Sequence, residues 1–141
     1  MPQPRSQTKK IQYHWEIDTY KLSVQAAMEI YELSKAFPEE EKYSLTDQLR
    51  KSSRSVSAQI AEGWRRRKYR AAFVNKMNEA KRGSATALST GEAAETQVWL
   101  EYSVKCRYMS REDGTRLHKK YDEIIGKLIN MGNHPEQWCL S

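Results

Sequence analysis

Apolar side chains return every three or four positions along most of this chain, and only 6 Gly and 4 Pro interrupt 141 residues. That period gathers residues on one face of an α-helix, whereas a half-buried strand needs strict alternation. No alternation of useful length occurs, so the chain is predicted to be all-α. From Ile17 the positions Ile17, Tyr20, Val24, Ala27 and Tyr31 form one stripe, with a second line, Ala26, Ile30, Leu33 and Phe37, beside it. The doubled apolar surface exceeds what a single packing seam requires and points to a second partner. Pro38 disfavours helical geometry at Phe37 and should stop this first helix there.

A second helix, capped by Ser44 or Thr46, carries the stripe Leu45, Leu49, Ser52, Val56 and Ile60, and Gly63 stands where a left-handed terminus favours glycine. Small residues such as Ser53, Ser57 and Ala61 would let a neighbour approach closely. The third segment runs from about Tyr69 through Phe73, Met77, Ala80, Ser84 and Leu88, and on through Gly91, Ala94, Val98 and Tyr102 to about Met109. Nearly forty residues is long for a globular helix, and any break belongs at 83–91, where Gly83 and Gly91 each cost roughly 1 kcal/mol relative to alanine. Ser110 with Asp113 reads as a capping box that opens a fourth helix on Leu117, Tyr121, Ile124, Leu128 and Met131. Four helices with short connections predict an up-down-up-down antiparallel four-helix bundle over 15–131, with a polar tail at 1–14 and a tail at 132–141 that packs back through Trp138 and Leu140.

Charge is unevenly spread. Residues 50–82 contain eleven Lys/Arg against Glu62 and Glu79, a local +9 in a chain of net +6. Arg50, Lys51 and Arg54 lie off the apolar stripe, and Arg65, Arg66, Arg67, Lys68 and Arg70 follow at the junction to the third helix. These eight residues are the candidate nucleic-acid contacts, with Trp64 or Tyr69 as stacking partners. The same cations also suit the carbonyl end of a helix dipole as a merely solvated terminus. Glu62 is assigned an ion pair with Arg66 or with a base on a neighbouring helix; Gln48 and Gln59 are assigned hydrogen bonds between helices. Cys106 is expected to be packed rather than nucleophilic, and Trp15, Tyr20, Tyr31, Trp99 and Tyr102 to serve core or interface. The three histidines are far apart without a ligand spacing, there is no phosphate loop and no catalytic grouping, so neither enzyme, metal nor cofactor is expected. The absence of an apolar run near eighteen residues and of a paired cysteine motif predicts a reduced, cytoplasmic chain without a membrane span.

The stretch "FPEEEKYSLTDQLRKSSRSVSAQIAEGWRRRKY", with "ETQVWLEYSVKCRYMS" and "NHPEQW" later, resembles the bacterial four-helix bundle proteins of rRNA intervening sequences. The motif falls on Phe37-Pro38, Leu45 to Arg50 including Gln48, Arg54 to Val56, and Gln59-Ile60-Ala61-Glu62-Gly63-Trp64. Gln59 replaces the usual Asn, and "KRGSATALSTGEAA" is longer than its counterpart by roughly two turns. The resemblance implies a homo-oligomer, commonly a pentameric ring, and association with RNA. A more distant likeness, to accessory proteins of the reverse transcriptases of diversity-generating retroelements, implies docking of a protein partner and nucleic acid. A protein-interaction scaffold without direct nucleic-acid binding is the alternative function.

Overall fold

The computed structural model describes residues 11–78 and 89–138 and is all-α over them. Its helices are α1 (Asp18–Ser34), α2 (Leu45–Arg65), α3 (Arg70–Asn78), α4 (Ser89–Lys105), α5 (Arg111–Asn133) and the short α6 (Pro135–Trp138), with 3-10 turns at His14–Glu16 and Glu39–Glu41. The predicted break at 83–91 lies mostly outside the described residues; Gly91 itself is helical, inside α4. Among the described residues the predicted third helix is represented by α3 and α4, and α4 ends at Lys105 rather than Met109.

α2 is the central element. Its predicted stripe, Leu45, Leu49, Ser52, Val56 and Ile60, is buried throughout. On one side Ser57 and Ser23 bring their hydroxyls to 2.8 Å, and Arg50 Nε donates to Ser34 Oγ at 2.8 Å, so α1 runs antiparallel to α2. On the other side α3 and α4 face successive turns of α2: Gly63 lies against Met77, and Ser52 lies 2.8 Å from Thr96. From Gly63 back to Ser52 is eleven residues, yet from Met77 on to Thr96 is nineteen. The chain therefore carries eight more residues than an unbroken antiparallel partner of α2 would use, about two helical turns.

Four local expectations are corrected. Gly63 is not a left-handed terminus: α2 continues to Arg65 with Arg66 as its C-cap, and a Cβ at Gly63 would overlap Met77 Cε. Close approach of α3, whose Lys76 Cβ would lie 3.2 Å from that added Cβ, is what favours the glycine. The cap of α2 comes from neither Ser44 nor Thr46; Glu41 Oε1 accepts from Leu45 N at 3.2 Å and from Ser44 Oγ at 2.5 Å, because the Glu39–Glu41 turn swings that carboxylate under the helix start. In and beside α1 the expected Ile17, Ala26, Ala27, Ile30 and Phe37 are buried, but Thr19 and Ser23 join them in place of Tyr20, Val24 and Tyr31, which are half-buried beside that line. In α4 the buried residues are Thr90, Ala93, Thr96, Leu100 and Ser103, leaving the predicted stripe Gly91, Ala94, Val98 and Tyr102 exposed. Hydroxyls allow that inversion at two of these positions: Thr96 lies 2.8 Å from the Glu92 carbonyl, and Ser103 donates to that of Trp99 at 2.8 Å, so Thr96 and Ser103 enter the core with their hydrogen bonds met, while the Thr90 hydroxyl is buried without a partner among the described residues.

α5 follows its prediction, burying Leu117, Tyr121, Ile124, Leu128 and Met131, and Ser110 Oγ accepts from Asp113 N at 3.0 Å. The Asp113 carboxylate turns instead to Arg116 at 2.8 Å. α4 and α5 are antiparallel, since Val104 packs on Gly114 while Gln97 donates to the His118 carbonyl at 3.0 Å. Arg107, at φ 66°, reverses the chain between them, a conformation that costs a non-glycine residue about 1–2 kcal/mol. Tyr108 N to Ser103 O and Arg107 N to Val104 O, both 2.9 Å, complete the glycine-type helix ending despite the arginine. Trp138 packs on the core; Leu140 lies outside the described residues.

Candidate nucleic-acid interface

The basic residues fall into two groups joined by one edge of α2. Arg50, Arg54 and Arg65 recur at steps of four and eleven, which returns each to the same side of a helix, and they span about 22 Å. Ala58 and Ala61 lie between them, so nothing bulky separates the two ends.

At the first end three cations converge on one ring. Lys35 Nζ, Arg50 and Arg54 lie 4.8, 4.9 and 5.7 Å from the centroid of Tyr31. The antiparallel register of α1 and α2 produces this, placing Tyr31 opposite the turn that bears both arginines. Arg50 is half-buried and oriented by Ser34, whereas Arg54 is exposed. Neither Tyr31 nor Lys35 was identified from sequence as part of the site. Their signal was present as an aromatic on the half-exposed stripe of α1, but only the register connects it to α2. Lys51 points elsewhere and pairs with Asp47 at 3.6 Å, an exposed bridge of little energetic weight.

At the second end Arg65, Arg66 and Lys68 are exposed, and Lys68 Nζ lies 5.5 Å from the ring of Tyr69. Arg67 is folded inward: its guanidinium covers Trp64 at 3.7 Å from the ring centroid and donates to the Trp64 carbonyl at 2.8 Å. Trp64 is therefore a core residue with its free face taken, and it is not a stacking platform. Tyr69, 61% exposed, retains that capacity. Arg70 begins α3; its side chain lies outside the described residues. Among the described residues, no carboxylate lies within 4 Å of Arg50, Arg54, Arg65, Arg66 or Lys68.

Glu62 does not join this surface. Lys76 on α3 approaches Glu62 Oε1 at 2.7 Å and donates to Gln59 Oε1 at 2.8 Å, so the base on a neighbouring helix is its partner rather than Arg66. The hydrogen bond from Lys76 holds the Glu62 carboxyl below its ordinary pKa, with Arg66 adding a smaller attraction. Gln59 thus bridges helices as expected, while Gln48 is exposed and lines a cleft at the other end of α2.

Other expectations are revised. Cys106 is exposed, because it follows the end of α4 on the outward side shared with Tyr102. Trp15 and Tyr102 are each 53% exposed, and Trp15 stacks on Tyr13 at 4.4 Å instead of entering the core. Among the described residues, no three His, Cys, Asp or Glu side chains are grouped to hold a metal, and no helix is long and apolar enough to cross a membrane.

Residues 16–130 match the model of the 23S rRNA-intervening sequence protein family. A crystal structure of a protein of unknown function from the S23 ribosomal protein family of Bacteroides thetaiotaomicron is similar, with 28% identity and a TM-score of 0.66, over 80% of this chain and 96% of that one. Among curated proteins none matches the chain.

Proposed function

Because the chain belongs to the 23S rRNA-intervening sequence protein family, we propose that it is a non-enzymatic, self-associating helical protein that binds RNA along the basic edge of α2. The observation that carries this reading is the alignment of Arg50, Arg54 and Arg65 on one open helix edge without carboxylate partners among the described residues. Guanidinium groups so placed stay available for phosphates, and Tyr69 offers a face to an unstacked base. In this reading α1, α2, the α3–α4 pair and α5 run up, down, up and down, which the antiparallel registers support, and the protein acts in the cytoplasm.

Self-association is supported by two unpartnered faces of unlike charge. Outward on α4, Ala94 and Val98 are flanked by Glu95 and Glu101. Tyr20 and Val24 are half-buried on α1, the helix that packs against the arginine-bearing α2. A head-to-tail contact between such faces closes a ring, and the family resemblance implies five copies. Val98→Asp should then lower the mass measured by light scattering while leaving the helical signal intact.

The deciding experiment for the basic edge is an anisotropy titration of structured and single-stranded RNA across a salt series. Displaced counterions make affinity fall with salt, and Arg54→Ala with Arg65→Ala should weaken binding to every sequence and flatten the salt slope by about one per lost contact. Lys51→Ala should change little, because Asp47 already pairs with it. No binding at low salt by an intact oligomer, or binding unaffected by the double variant, would instead favour a protein-interaction scaffold.

A further inference from the structure

The opposite end of α2 has contrasting chemistry. About 30 Å from Arg65 along the helix, the Glu39–Glu41 turn and the start of α2 meet the last turns of α4 around a cleft of about 410 Å³. Tyr43, Trp99 and Tyr102 line it, with Glu41 and Gln48 as polar groups. No lysine, arginine or histidine is among its described lining residues, although the chain carries 24 Lys/Arg against 18 Asp/Glu. The larger cleft of about 540 Å³ between α4 and α5 mixes signs instead, with Lys105, Arg111 and Lys119 facing Glu101 and Asp122.

We infer that the cleft at Tyr43, Trp99 and Tyr102 binds an organic cation, a guanidinium or quaternary ammonium head held by the aromatic faces beside the Glu41 carboxylate. Three observations converge on it. Tyr43 and Tyr102 are 85% and 53% exposed, so large aromatic surfaces stand in water at the cleft. Trp99 is oriented beside Tyr102, their centroids 5.9 Å apart, by donation from its Nε1 to Glu95 Oε2 at 3.1 Å. A second carboxylate thus lies at the indole edge. Finally, Glu41 is kept ionised by the Ser44 hydroxyl, the Leu45 amide and the Tyr108 hydroxyl, while no cation lies within 4 Å of it among the described residues.

Aromatic faces attract cations through their quadrupoles, most strongly when the cation is poorly hydrated. Lys42 Nζ, 5.5 Å from the centroid of Tyr43, already shows one such contact at the rim. A hard metal ion is a poor fit. The Glu41 oxygens already accept three hydrogen bonds, and one carboxylate does not supply the six or more oxygens calcium takes. The two walls come from the "FPEEEKYSLTDQL" and "ETQVWLEYSVKC" segments, far apart in sequence, and the basic edge of α2 has no part in them.

The test is a titration of the full-length, 15N-labelled protein followed at its four tryptophan indole N–H signals. Choline and agmatine should move the Trp99 signal saturably with Kd near 1 mM, an affinity ordinary for a small isolated head group. Trp15, Trp64 and Trp138 should stay in place. Tyr43→Ala and Tyr102→Ala should each weaken binding about two- to fivefold, with Tyr102→Phe near native. Both side chains are exposed, so unchanged Trp64 and Trp138 signals certify the fold of each variant. The arginyl peptide acetyl-Gly-Arg-Gly-amide separates the sources: binding by the peptide makes a protein side chain a sufficient ligand, and binding by choline and agmatine alone restricts the site to small molecules. The inference is overturned if 3,3-dimethyl-1-butanol, the neutral carbon analogue of choline, binds as well as choline does. It is equally overturned if no cation shifts Trp99 at concentrations about tenfold above that Kd. RNA binding at the far end of α2 can fail or succeed without altering either result.

Discussion

α4 and α5 lie side by side in the same core, yet they bury opposite kinds of surface. α5 turns inward Leu117, Tyr121, Ile124, Leu128 and Met131 and leaves its charges outside. α4 turns inward Thr90, Ala93, Thr96, Leu100 and Ser103 and leaves Val98 and Tyr102 in solvent. The difference teaches that apolar periodicity finds the buried face only where the neighbouring helix stands far enough away for large side chains. Where α4 meets α2 the spacing is set by a hydroxyl contact, Thr96 with Ser52 at 2.8 Å, and large residues have no room.

The largest effect expected from that contrast is on α5. Leu117→Ala, at a fully buried site, should cost about 2–5 kcal/mol in urea unfolding through lost burial and the cavity left behind. On α4 the opposite substitution is the informative one. Thr96→Leu adds apolar volume and should still destabilise, by about 1–3 kcal/mol, because the added atoms meet α2 and the Ser52 contact is lost. A stabilised Thr96→Leu protein would mean that α4 has space to spare and that its polar face has another cause.

That contrast also marks how far the sequence could be read. The stripes of α2 and α5 were legible because their leucines and isoleucines are both periodic and buried. The inward face of α4 was not, since nothing local distinguishes a threonine whose hydroxyl returns to Glu92 from one that faces water. The same limit governs the candidate sites. Arg50, Arg54 and Arg65 could be chosen from charge alone, but the ring that gathers Arg50, Arg54 and Lys35 belongs to α1 and enters only through helix register. Gly63 was identified as special but given the wrong reason, because a close approach by Met77 leaves no local trace that separates it from a terminal turn.

A smaller effect tests the one polar atom on the apolar face of α5. The Tyr121 hydroxyl is buried near Ser53 without completing a hydrogen bond, and its burial raises its pKa. Ser53 Oγ donates to the Arg50 carbonyl at 3.0 Å, which spends its proton but not its acceptor lone pairs. Removing a buried hydroxyl that lacks a partner is nearly neutral or favourable, so Tyr121→Phe should leave the urea midpoint unchanged or raise it slightly. A loss above about 1 kcal/mol would show that α5, like α4, depends on a hydroxyl contact with α2.

The smallest effect concerns the crossing of α2 with α3, where the pair of Glu62 and Lys76 flanks the packing of Met77 on Gly63. Lys76 lowers the folded-state pKa of Glu62 beneath its ordinary 4.5. A depressed carboxyl contributes stability that is complete above the unfolded value and disappears as pH falls through the folded one. The Glu62 side chain is 49% exposed, so solvent screening holds the contribution to a few tenths of a kcal/mol, about the scale of surface pairs. Glu62→Gln should therefore fall slightly behind the native protein at pH 7 and match it at a pH well below 4.5, under the lowered Glu62 pKa, with the gap at pH 7 narrowing in high salt. An equal gap at both pH values would assign Glu62 to packing and leave the polar α2–α4 crossing without a charged counterpart at α3.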